Sequence, residues 1–199
     1  EMKVERVSYS VMTPSAARGM LEAIFWKPEF HWQVREIAVL KPVRHFSILR
    51  NEVKSKATVS TAQSWEISGG GYFADDDRAQ RHTLALRDVA YIIRADIALA
   101  PHAQNEGTAK YRDQFRRRVA RGQCHHTPYL GCREFAASFG SASEDDKPID
   151  LTDDLGLMLF DMDYAPDKSG RGEPRFFHAR LESGVLQVQR YLYECAGEG

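Results

Sequence analysis

Lys110 and Tyr111 stand at the start of a basic run, Ala109 to Gly122, whose residue types and spacing suit phosphate chemistry. Read as a helix, the run places Tyr111, Phe115 and Val119 on one face, because side chains four apart stack along an α-helix. Lys110, Arg112, Arg116, Arg117 and Arg121 spread over the rest, so one stripe packs while a cationic surface faces outward. In a first turn, free backbone N–H groups and the helix dipole stabilise an anion. A lysine there could steady the charge of a pentacoordinate phosphate. An ordinary surface lysine is the plainer reading, and the neighbouring arginines weigh against it. Tyr111 shares the register of the packing stripe, so a core role is its default, although its hydroxyl could reach the helix start.

Other candidates lie nearby. His125 and His126 follow the basic helix and are read as proton carriers or RNA contacts. With Cys124 and Cys132 they suggest zinc, but the spacing matches no standard finger or ribbon. A Cys–His nucleophile is conceivable, yet no third orienting group can be assigned. Lys27, Arg50, Lys54 and Lys56 are further cations suited to phosphate. Phe25, Trp26, Trp32, Phe46, Trp65 and Tyr72 could stack unpaired bases, though most are expected in the core.

These residues need a scaffold. The 199 residues allow one large domain or two small ones, and 43% hydrophobic with 28% charged content is globular. The net charge of −1 conceals segregation, with basic residues at 50–56 and 110–121 and acidic ones at 75–77 and 144–154. Solvated charged faces are the plain reading, but a local basic band suffices for nucleic acid. Three cysteines make no disulfide framework, and a reducing, cytoplasmic setting is expected. No apolar run reaches membrane-spanning length, and no signal peptide or membrane partner is expected.

Thr13-Pro14 marks a helix start, with Ala17, Leu21 and Ile24 at helical spacing and Pro28 beyond its end. Residues 30–40 read as a strand, 50–56 as a polar loop or ribbon, and Gly69-Gly70-Gly71 as a turn. Residues 89–99 alternate as a strand closed by Pro101. The basic helix opens with Thr108 as its capping candidate and stops at Gly122. A strand is predicted near 129–135. After a polar linker at 140–150 come strands at 155–163, 175–181 and 185–190, the last two a hairpin around Glu182-Ser183-Gly184. The order is that of a split βαβ, or ferredoxin-like, unit. The expected class is α+β. A ferredoxin-like RNA-binding domain over 1–139, its first strand expected to precede the sequence, is followed by a smaller antiparallel β-sheet region over 140–199.

Several stretches together resemble a known family: SYSVMTPSAARG (8–19), IFWKP (24–28), RNEV (50–53), LRDVAY (86–91), RGQC (121–124), PYLGCREF (128–135) and DLGLMLFD (154–161). The chain resembles the Cas-five family of CRISPR-associated proteins, in the subtype I-C (Dvulg) branch. The resemblance implies an RNA-recognition-type fold and an endoribonuclease that cuts the repeat of precursor CRISPR RNA. It implies that the protein stays on the 5′ handle with the other subunits of the interference complex. The implied reaction needs no metal or cofactor: the 2′-hydroxyl attacks its own phosphate, leaving a 2′,3′-cyclic phosphate. Family members are credited with a tyrosine in the stretch matching 24–28 and a Lys-His pair at the second helix. Lys110 matches the lysine, Phe25 takes the tyrosine position as a site-lining residue, and Tyr111 takes the histidine position. A tyrosine titrates near ~10 against ~6.5 for histidine, so it is the poorer proton donor at neutral pH. The alternatives kept open are a non-catalytic or weakly catalytic subunit holding the 5′ handle, and a subunit that binds duplex DNA.

Overall fold

The computed structural model describes residues 6–55, 58–71, 73–165 and 170–194. The elements run β1 (Arg6–Val7), α1 (Pro14–Ile24), β2 (Phe30–Val39), β3 (His45–Val53), α2 (Val59–Ser68), β4 (Arg78–Leu86), β5 (Tyr91–Leu99), a 3-10 turn (Pro101–Ala103), α3 (Thr108–Ala120), β6 (Asp153–Tyr164), β7 (Gly172–Glu182), β8 (Val185–Gln187) and α4 (Tyr191–Glu194). Helices and largely antiparallel strands make this an α+β protein. Among the described residues, no helix is long and apolar enough to cross a membrane.

The chain forms two compact units, one of residues 1–8 and 44–87, the other of 9–43 and 88–199. The units therefore do not part at 139/140. The smaller is a sheet of order β1-β4-β3, with β3 and β4 antiparallel and α2 between them in sequence. The polar stretch that begins at Arg50 is thus largely strand, a ribbon rather than a loop. The larger unit holds a five-stranded sheet of order β5-β2-β8-β7-β6. Its C-terminal strands are antiparallel, and β8 pairs with β2, so they continue the sheet begun by β2 and β5.

Local chemistry accounts for most boundaries. Thr13 caps α1, its hydroxyl accepting from the Ala16 N–H at 3.2 Å, and Pro14 fills a position whose N–H would have no partner. The β7–β8 connection is the two-residue turn Ser183-Gly184, both with positive φ (46° and 77°), the hand that matches strand twist. Gly184 is required twice over, because a Cβ there would stand 2.2 Å from the Ile149 carbonyl oxygen. Residues 129–135 do not form the predicted strand. Only a single bridge joins Tyr129 to Ala136, since Gly131, at φ 78°, turns the chain back at once.

The core follows from a bulge in β2. Phe30, Trp32 and Val34 face one side, and the register shift between Val34 and Glu36 keeps Ile37 and Val39 on that same side. All five are buried, opposite Leu99, Ile97, Ala95, Ile93 and Tyr91 of β5. One cluster joins Val34, Ile37 and Val39 to Met20 of α1 and to Met158, Phe177, Leu181 and Leu186 of the C-terminal strands. A second joins Leu21, Ile24, Phe25, Phe30 and Trp32 to Tyr111 of α3. Arg18 ties α1 to β6 through Asp161 at 2.7 Å. The second cluster is the seat of the basic helix.

Candidate functional site

Helix α3 lies on the sheet by the stripe its sequence predicts. The Tyr111 ring meets Phe30 at 5.1 Å, the Phe115 ring meets Trp32 at 4.8 Å, and Val119 packs against the same cluster. Its far end is closed by backbone. The Gly122 N–H donates to the Val119 carbonyl at 3.1 Å, the Gln123 N–H donates to Arg118 at 2.9 Å, and Gly122 has φ 63°, the arrangement glycine permits at least cost. Arg118 donates to the Ile24 carbonyl at 3.1 Å and lies over the Phe25 ring, so α3 is pinned to the end of α1.

The near end departs from expectation. The cap is Gly107, with no side-chain bond, and Thr108 is already helical. Thr108 is therefore not the cap; the chain takes extended geometry one residue earlier. In place of a capping hydroxyl, Glu106 folds back over the first turn. Its carboxylate accepts from the Lys110 ammonium at 2.5 Å and from the Tyr111 hydroxyl. The Lys110 nitrogen also stands 4.7 Å from the centre of the Tyr111 ring.

The shifts in acidity follow from this arrangement. The Lys110 ammonium, and after it the Tyr111 hydroxyl, hold the Glu106 carboxyl below its ordinary value. The Glu106 carboxylate raises Lys110 above the usual lysine value. The same carboxylate, then burial, raises Tyr111. At neutral pH the site therefore presents an ammonium, a phenol that keeps its proton and an ionised carboxylate. Lys110 and Glu106 keep 56% and 40% of their side-chain exposure, so a ligand can reach both charges.

The remaining predicted residues divide. Phe25 does not line the open site: it is 1% exposed, its ring is 5.6 Å from Phe30, and its carbonyl accepts from the Trp32 indole at 2.9 Å. It supports the floor one ring away from Tyr111. Arg112, Arg116, Arg117 and Arg121 are exposed on α3 and just beyond it. Arg112 and Arg116, with Thr108 and Phe115, border a cavity of about 620 Å³ over β2 and β5, also bordered by Arg35, Arg94, Asp96 and Arg190. His125 and His126 are exposed, and their backbone N–H groups donate to the Ala23 carbonyl at 2.8 and 3.3 Å. Cys124 and Cys132 are free thiols, and among the described residues no three His, Cys, Asp or Glu side chains gather as a metal would require.

Lys27 is exposed beyond α1. Arg50 and Lys54 belong to the smaller unit, where Arg50 is 3.3 Å from Glu52. That ion pair partly neutralises Arg50. Lys56 and Tyr72 lie outside the described residues. Sequence reasoning missed Glu106 and Arg118. A capping-box search looks for an acid three residues after the cap, whereas Glu106 precedes it.

A family model described as "CRISPR-associated protein (Cas_Cas5)", of the Cas5d type, matches residues 1–189. The chain belongs to this Cas5 family of CRISPR-associated proteins. A Thermus thermophilus protein named CRISPR pre-crRNA endoribonuclease Cas5d is 46% identical over 209 residues, spanning 98% of this chain and 86% of that protein. A protein of the same name from Mannheimia succiniciproducens is 42% identical over 207 residues, spanning 98% and 90%. Among solved structures, a CRISPR-associated protein aligns with TM-score 0.64 and 21% identity over 92% of this chain and 82% of its own. A functionally uncharacterized Streptococcus mutans protein aligns with TM-score 0.62 and 20% identity, with the same coverage. These two likenesses concern the fold alone.

Proposed function

We propose that this Cas5 protein cuts precursor CRISPR RNA within its repeat at the start of α3. The observation that carries the reading is the Glu106–Lys110–Tyr111 constellation beside exposed arginines, in a chain 46% and 42% identical to relatives named as pre-crRNA endoribonucleases. The scissile phosphate sits against Lys110, where the ammonium and the first-turn N–H groups offset the charge of the transition state. The 2′-hydroxyl of the preceding nucleotide is the nucleophile, so the substrate supplies its own attacking group and no metal is needed. Tyr111 stands in the proton-transfer position. Arg112, Arg116, Arg117 and Arg121 hold the flanking backbone, with Lys27, His125 and His126 near the end of α1. The product then stays bound by its 5′ handle within the type I-C interference complex.

The test is a single-turnover assay on the cognate repeat in EDTA. The expected outcome is one cut leaving a 2′,3′-cyclic phosphate, abolished by a 2′-deoxy residue before the scissile bond. Tight binding of an RNA that stays intact would make the protein a holding subunit instead.

A further inference from the structure

The reading above gives Glu106 no chemical step, although it touches both groups to which that reading gives one. We propose that Glu106 is the proton acceptor for the attacking 2′-hydroxyl, and that Tyr111 relays the proton to the leaving oxygen. The inference rests on the placement of the scissile phosphate at Lys110.

Three observations carry it. First, the Glu106 carboxylate accepts from the Tyr111 hydroxyl and from the Lys110 ammonium, so acceptor, donor and cation form one connected set. Second, Glu106 keeps 40% of its side-chain exposure, which lets a ribose approach the oxygens. Third, it is the only one of the three with a basic lone pair at neutral pH, because Lys110 and Tyr111 are both held protonated. His102 of the 3-10 turn also faces Glu106 and acts in the same direction as Lys110 when its ring carries a proton.

An ionised carboxylate paired to lysine is a weak base, and substrate entry removes that handicap. A phosphodiester competes with Glu106 for the Lys110 ammonium. As the ammonium turns to the phosphate, the carboxylate loses its strongest partner and its proton affinity rises. The carboxylate thus becomes a better base as the phosphate engages.

The step balances. The 2′-O–H bond breaks and its proton goes to Glu106 while the O2′–P bond forms. The P–O5′ bond breaks and the leaving oxygen takes the Tyr111 proton. Glu106, now a carboxylic acid, then donates its proton to the Tyr111 phenolate oxygen beside it, restoring the phenol and the carboxylate. The net change moves one proton from the 2′-oxygen to the 5′-oxygen.

The experiment compares Glu106→Gln, Glu106→Ala and Lys110→Ala on the cognate repeat, measuring RNA affinity and single-turnover rate. Glu106→Gln keeps an acceptor for Lys110 but has no basic oxygen. Its rate should fall on the order of 10²–10⁴-fold with RNA binding intact or tighter. Added formate should restore part of the Glu106→Ala rate by supplying a diffusible carboxylate. A Glu106→Gln enzyme within about threefold of the parent would overturn the proposal. A Glu106→Ala loss that formate leaves unchanged would overturn it too, making Glu106 an anchor for the helix start. If Lys110→Ala is inactive while Glu106→Gln is active, only this inference fails. If Lys110→Ala cuts normally, the placement of the phosphate fails with it.

Discussion

The β3–β4 ribbon and helix α3 both concentrate arginine, and they treat its charge in opposite ways. On the ribbon, Glu52 gathers Arg6, Arg50 and Arg81 at 3.3, 3.3 and 3.8 Å, so the cations face an acid within their own unit. On α3, Arg116, Arg117 and the adjacent Arg121 have no acidic or hydrogen-bonding side-chain partner among the described residues. Paired cations of this kind add little net stability, and the shared carboxylate offsets part of their pull on an outside anion. Unpaired ones repel each other until an anion arrives. Two stretches that are both basic therefore differ in how far their cations are engaged, and the difference lies in the residues opposite them.

Lys110 and Tyr111 show a third arrangement, in which cation and phenol are held by an acid outside the helix. The Tyr111→Phe variant tests it, with an effect larger than that of any arginine pair below. Removing the hydroxyl should slow cleavage on the order of 10²-fold or more, with RNA affinity little changed. Because Lys110 and Tyr111 are both held above their ordinary values, and both act protonated, the parent rate should stay level as pH rises through 9. A decline setting in near pH 8 would point to another donor.

The contrast between the two basic stretches is tested in pairs. Arg116→Ala with Arg117→Ala should weaken RNA binding about tenfold at moderate salt and reduce the salt slope by about 1.4, two single-strand contacts. Arg50→Ala with Arg81→Ala should leave both quantities within about twofold, because Glu52 already engages both cations within their own unit. Equal losses in the two double variants would erase the distinction.

The sequence carried the local parts of this account. Thr13-Pro14 announces α1, the spacing of Tyr111, Phe115 and Val119 announces the seated face of α3, and Gly122 announces its end. Each depends on residues within a few positions of one another. What was not legible depends on distant partners. The β2 bulge, which keeps Val34 and Ile37 on one face, breaks the alternation a strand search relies on. The smaller unit is recognised only when β1 and β3 meet β4 across the sequence. The burial of Phe25 beneath Arg118 needs α3 to arrive against α1. Glu106 is local, yet it was overlooked because an acid before a glycine cap matches no capping rule.

The central claim is that a phosphodiester docks against the ammonium at the start of α3. The most direct measurement is the cleavage rate and RNA affinity of Lys110→Ala on the cognate repeat, under single-turnover conditions. The account predicts a rate lower by at least about 10²-fold with affinity within a few-fold of the parent, because the ammonium is one of several phosphate contacts in the bound state and counts for more as charge builds in the transition state. Cleavage at the parental rate would contradict it.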